Sequence, residues 1–169
     1  MSLEQLWAGW RRAYVVEVTE ADRRGGQGCV FCAIAGSGDP SEDNGIVWRS
    51  PLCFAVLNAY PYASGHLLVL PVRHVDALDQ LTLEESHALW EATRQAAAAI
   101  GAAYAPDGVN LGANLGRAAG AGIPSHLHLH AVPRWSGDTN FMTSVAGVRV
   151  MPESLPDSWR RLSAAWPTA

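Results

Sequence analysis

The chain has 169 residues, 49% hydrophobic and 17% charged, enough to bury one ordinary core and near the upper end of single-domain size. Its formal charge is -4 and its twelve basic residues are all arginine, which leaves no electrostatic footprint for nucleic acid and removes lysine as nucleophile, base or phosphate anchor. No basic-flanked apolar leader opens the sequence, and no run approaches the roughly 20 apolar residues of a membrane span. A cytoplasmic protein with neither a nucleic-acid nor a membrane partner is therefore expected.

Leu3, Leu6, Trp7, Trp10 and Tyr14 recur at three- and four-residue spacings and predict an amphipathic helix over 3–14. Polar, glycine-rich stretches at 19–28 and 36–45 read as loops bracketing a short apolar element at 29–35. Residues 46–49 and 52–58 read as strands about a Ser50-Pro51 turn, and the run 66–72 completes a three-stranded meander after the loop 59–65. Thr82 with Glu85 three residues on is a capping box, and Leu83, Leu89, Ala92, Ala96 and Ile100 carry a helical stripe to about Tyr104. Extended segments follow near 108–115 and 125–132, and a terminal helix begins after Pro152 with Trp159, Leu162 and Trp166. This order predicts an α+β fold with a mainly antiparallel sheet, one long helix and terminal helices. The whole is expected to be one domain, 1–169, with its core at about 29–135 and helical extensions at both ends.

The segment Ser125-His126-Leu127-His128-Leu129-His130-Ala131-Val132 carries the chemistry. Side chains alternate along a strand, so His126, His128 and His130 share one face while Leu127, Leu129 and Ala131 point to the core. A solvated polar stripe accounts for one histidine on a strand better than for three, because neighbouring groups of pKa near 6.5 oppose each other's protonation. Either metal binding, which the spacing supports for two of the three, or acid/base and nucleophilic catalysis supplies a chemical reason for the cluster. Three cysteines are too few for a disulfide framework, and no thioredoxin-like pattern surrounds Cys29 and Cys32, so that pair reads as a metal site or as reduced thiols. Cys53 reads as a buried thiol and His87 as a surface residue of the long helix.

His-Leu-His-Leu-His-Ala-Val at 126–132 resembles the signature of the histidine triad (HIT) superfamily of nucleotidyl hydrolases and transferases. The likeness extends from about Cys29 to Arg134 and takes in Phe54-Ala55-Val56-Leu57-Asn58, Pro61, and Gly65-His66-Leu67-Leu68-Val69-Leu70-Pro71. Asn110-Leu111-Gly112-Ala113-Asn114-Leu115-Gly116, with Pro133-Arg134-Trp135 and Gly137-Asp138, is most similar to the diadenosine tetraphosphate phosphorylase or hydrolase branch of actinobacteria.

The resemblance implies a HIT-like fold and a reaction in which the middle histidine, His128, attacks the α-phosphorus of a nucleotide and holds it covalently until water, phosphate or another acceptor resolves it. It implies that His130 bonds near the phosphate, that His66 contributes from the adjacent strand, that Asn58 holds the ribose hydroxyls, and that Phe31, Ile34 and Val56 surround the base, where plain core packing is the alternative. Structural zinc held by Cys29, Cys32, His74 and His126 is implied as well, so His126 belongs to both sets. The chain departs from the family where related enzymes carry a Gln, Ser or Thr shortly before the triad: Gly122 and Ile123 stand there. The backbone around Gly120 and Gly122, with Asn114 and Ser125, is left to serve the phosphates. Arg117 and Arg134 suit an extended polyphosphate or a surface ion pair, and Trp135 suits a second base or the strand end.

The expected activity is cleavage of a dinucleoside polyphosphate such as diadenosine tetraphosphate, and a homodimer is expected because relatives form two-fold dimers and the tryptophans near both termini read as exposed. A nucleoside phosphoramidase, a non-catalytic nucleotide-binding or zinc protein, and a metallohydrolase stay open as alternatives.

Overall fold

The structure is a computed structural model, and it describes residues 28–138 and 152–167. The helix expected over 3–14 and most of the loop at 19–28 lie outside the described residues. The described elements are α1 (Val30–Ala35), β1 (Ile46–Arg49), β2 (Cys53–Leu57), β3 (Leu67–Pro71), α2 (Leu83–Tyr104), β4 (Gly108–Ala113), β5 (Leu129–Arg134) and α3 (Leu155–Ala165).

The strands form one antiparallel sheet in the order β1-β2-β3-β5-β4, so the expected meander of the first three strands is present and β5 inserts beside β3. Every residue of β2 and β3 is buried, because both faces of the sheet centre are covered. On one face, Ala55, Leu67, Val69, Leu127 and Ala131 pack with Leu89, Ala92, Ala96 and Ile100 of α2. The alanines of α2 let it approach the sheet closely, and Thr82 and Glu85 close the capping box expected at its start. On the other face, Phe54, Val56, Leu68 and Leu70 pack with Ile46 and with Phe31 and Ala35 of α1. Full burial of each such large side chain is worth roughly 1.5–3 kcal/mol, so the two clusters fix which face each strand residue takes.

The last strand is shorter than expected. It begins at Leu129, not near Ser125, because the β3 residue that would face Leu127 is Pro71, which has no N–H for the ladder. Leu127 donates its N–H to the Val75 carbonyl at 2.6 Å instead, and the segment 126–128 stays extended against β3 without belonging to the sheet.

The carboxy-terminal helix also differs from expectation. Trp159 is half-buried and donates Nε1–H to the Ile46 carbonyl at 2.8 Å, while Trp166 is buried and stacks on Trp48 with ring centroids 5.3 Å apart. These tryptophans therefore fasten α3 to β1 and α2 rather than offering an exposed apolar surface.

Candidate active site

Leu127, Leu129 and Ala131 turn to the α2 side, which leaves His126, His128 and His130 on the α1 side, as the alternation of the sequence requires. The Phe31 ring meets His126 at 5.6 Å and His128 at 5.2 Å between centroids, and His128 meets His130 at 5.2 Å. The helix carrying Cys29 and Cys32 at its start thus closes one side of the histidine row.

Hydrogen bonds assign the proton on each ring. His128 Nδ1 lies 2.8 Å from the His126 carbonyl, which only accepts, so Nδ1 carries the hydrogen and Nε2 holds the lone pair. Burial lowers the pKa of His128 and outweighs the opposing effect of that hydrogen bond, which favours the neutral ring. His66 Nδ1 accepts from the backbone N–H of Tyr62 at 3.0 Å and from the Asn58 amide at 3.3 Å. Its Nε2–H therefore donates to His130 Nδ1 at 2.9 Å, and a neutral His130 carries its own hydrogen on Nε2. Tyr62 stacks on the His130 ring at 5.9 Å with an interplanar angle of 15°.

The remaining imidazole faces the cysteines. His126 donates Nε2–H to the Pro71 carbonyl at 3.0 Å, leaving Nδ1 bare 3.3 Å from Cys29 Sγ and 3.7 Å from Cys32 Sγ. His74 Nδ1 lies 3.3 Å from Cys32 Sγ, and the four donor atoms all fall within 4.8 Å of one another. Burial and the adjoining Cys29 sulfur raise the Cys32 pKa, which favours its neutral thiol unless a cation lies between the two sulfurs. The set has the composition and spread of a closed tetrahedral site, and the Pro71 carbonyl is the outer partner that orients a ligating histidine. Burial also lowers the His126 pKa, with His74 and His128 adding to the effect.

The other expected residues divide by location. Phe31, Ile34 and Val56 come together in the apolar cluster beside His126 and His128. Asn58 is tied to His66 and accepts the Tyr60 N–H at 3.0 Å. Asn114, Arg134 and Trp135 line a cavity of about 1310 Å³ that begins at His130. Arg134 is forked by Asp138 at 2.6 and 2.8 Å and reaches Asn110 at 2.9 Å, so the ion-pair alternative describes its present contacts. Gly120 donates its N–H to Arg117 within a tight turn, at φ 91°, and is not itself an open amide for phosphate; Gly122 and Ser125 are half-buried just before the triad. Cys53 is fully buried with its pKa pushed up to about 11, chiefly by burial, and His87 is exposed, both as expected.

Sequence reading missed Tyr62, which no motif marks, and the partnership of Gly65 with Tyr104. A Cβ at Gly65 would lie 2.5 Å from Tyr104 Cε2, and the φ of +80° there already favours glycine. The glycine directly before His66 was the available signal.

A family model described as HIT domain matches residues 40–137. The AP-4-A phosphorylase of Mycobacterium tuberculosis is 40% identical over 167 residues, covering 97% of this chain and 85% of that protein. An uncharacterized HIT-like protein of Saccharolobus solfataricus is 32% identical over 68% of this chain and 79% of its own length. Among solved structures, a Zn-bound histidine triad family protein from Mycobacterium smegmatis superposes with a TM-score of 0.65 at 31% identity, over 81% of this chain and 91% of that one. A hypothetical histidine triad nucleotide-binding protein from Sulfolobus tokodaii gives the same TM-score at 26% identity, over 81% and 91% of the two chains. The chain belongs to the HIT family, and its similarity runs to the AP-4-A phosphorylase branch.

Proposed function

We propose that the protein is a nucleotidyl hydrolase or transferase that cleaves dinucleoside polyphosphates of the diadenosine tetraphosphate kind through a covalent nucleotide on His128. The observation that carries this reading is the pairing of His128 Nδ1–H with the His126 carbonyl, which presents a neutral Nε2 lone pair. The similarity to a named AP-4-A phosphorylase supports the substrate class.

In the first step, Nε2 of His128 bonds to the α-phosphorus as the bond to the bridging oxygen breaks; that oxygen leaves as a phosphate oxyanion of the departing nucleotide, and the His128 ring, still carrying Nδ1–H, becomes cationic. A neutral imidazole approaches a polyphosphate without the repulsion an anionic nucleophile meets. His130, held by His66 through Nδ1, presents Nε2–H to a phosphate or bridging oxygen. In the second step, water or inorganic phosphate attacks the same phosphorus and the imidazole leaves.

Asn58 holds the ribose hydroxyls in this reading, and Phe31, Ile34 and Val56 surround the base. Asn114, Gly122 and Ser125 attend the phosphates, Gly120 shapes their turn, and Arg134 and Trp135 serve the far end of the substrate. Cys29, Cys32, His74 and His126 hold zinc, whose part is to cross-link the start of α1 to the triad segment. The chain works as a single HIT-like domain in the cytoplasm and as a homodimer.

Purified protein incubated with diadenosine tetraphosphate, with and without phosphate, tests the reading by the masses of its products. ADP appearing only with phosphate identifies a phosphorylase, and AMP with ATP identifies hydrolysis. Cleavage of adenosine 5′-phosphoramidate but not of the dinucleotide overturns the substrate class.

A further inference from the structure

Directly opposed residues of an antiparallel pair share a face. Gly112 stands opposite His130, Asn110 opposite Val132, and Gly108 opposite Arg134. The face that carries the histidine row therefore continues past His130 as a track over β4 and β5, about four residues or roughly 13 Å long at the rise of a strand. Its floor at both ends is glycine. A Cβ built at Gly112 or Gly108 meets nothing within 4 Å among the described residues, and neither glycine has the positive φ that would demand one.

Glycine is disfavoured inside strands, where it weakens pairing and fills no space, and it commonly marks a close approach to the backbone. Gly112, Asn110, Arg134 and Trp135 border the same cavity as His130, with Tyr62 on its wall. On the opposite side of the row, Phe31 packs against His126 and His128, where the reading above puts the base of the nucleotide that stays on His128. Among the described residues, a group leaving from a phosphorus bonded to His128 thus has an open path on the β4 side, while the α1 side is taken by the retained base.

We infer that the track over β4 and β5 receives the departing half of the substrate, and that Gly112, by lacking a side chain opposite His130, is the residue that admits a bulky nucleotide leaving group. The inference rests on the cleavage reading given under Proposed function. It assigns Gly112 to specificity, because it touches what lies beyond the scissile bond.

The test uses full-length protein carrying His128→Asn, which prevents turnover, with Gly112→Ala or Gly112→Val added. AMP, which ends at the α-phosphate, and diadenosine tetraphosphate are each titrated by calorimetry. Valine suits an exposed strand position and the space is open, so folding is preserved, checked by an unchanged melting curve. Affinity for AMP is expected to stay within about twofold, while that for diadenosine tetraphosphate falls at least about tenfold with valine and less with alanine, the scale on which a pocket discriminates by a few methyl groups. Equal losses for both ligands, or no loss for either, overturn the assignment of Gly112. Failure of both ligands to bind before any change at Gly112 overturns the cleavage reading itself, and the inference with it.

Discussion

The side chain of His128 is aimed by the backbone of His126: its Nδ1–H donates to that residue's carbonyl at 2.8 Å, while the His126 ring points away toward Cys29. One residue thus belongs to two sites, the main chain setting the tautomer of the nucleophile and the imidazole completing the sulfur cluster. Replacing His128 with Asn or Gly is expected to cut turnover of diadenosine tetraphosphate by roughly a thousandfold or more, as removal of a covalent nucleophile does. AMP affinity is expected to persist. A variant that keeps its turnover rate in a steady-state assay contradicts the nucleophile assignment.

The sulfur cluster makes a separate prediction. Purified protein is expected to contain about one zinc per chain by elemental analysis, and Cys32→Ser is expected to lose it. The melting temperature should then fall by roughly 5–10 °C, the scale of 2–3 kcal/mol for a chain of this size. After chelation, alkylation should label Cys29 and Cys32 while Cys53, buried with its pKa near 11, stays protected until the chain unfolds. Full turnover persisting at short times after chelation separates this structural metal from a catalytic one.

Gly65→Ala tests how the hydrogen-bond relay from Tyr62 and Asn58 through His66 to His130 is held. The new methyl meets the Tyr104 ring at 2.5 Å, and the positive φ adds strain, together costing about 1–3 kcal/mol. Because Gly65 precedes His66, the displacement should also weaken the His66 to His130 hydrogen bond. The expected result is a lower melting temperature together with a reduced kcat; a fall in stability alone would separate Tyr104 packing from the relay.

The ion pair between Arg73 and Glu85 clamps the segment bearing His74 to the start of α2. Arg73 forks the buried Glu85 carboxylate at 2.7 and 2.6 Å and also donates to the Gln80 carbonyl, while Glu85 accepts the Thr82 N–H. The Arg73 hydrogen bond, with that of Thr82, holds the Glu85 pKa at about 2, below its ordinary 4.5. A carboxylate with a lowered folded-state pKa contributes stability above its unfolded value, and that contribution disappears as pH falls from about 4.5 through about 2. Glu85→Gln should therefore melt below the wild type at pH 7, with the gap narrowing in that acid window. Equal melting at pH 7 would show the pair to be energetically neutral.

Much of the site could be read from residue order because its elements are periodic. Alternation alone places His126, His128 and His130 on one face, and the 3.6-residue stripe with its capping box marks the long helix. The start of β5 was less legible, since it depends on Pro71 lying opposite Leu127 across the β3–β5 pairing. The inward packing of Trp159 and Trp166 was not legible either, because a tryptophan's burial is decided by what the fold sets beside it.

By itself the sequence determined the chemistry available: six imidazoles, three thiols and no lysine, spaced so that local backbone geometry gathers three imidazoles in one row. Only the tertiary structure decided which nitrogen of each ring keeps its proton, which imidazole turns to the cysteines, and that the face beyond His130 is floored by glycine with no described residue over it. Those outcomes rest on partners such as Pro71, His66 and Gly112, brought from distant parts of the chain by strand register, which alternation within a single segment does not encode.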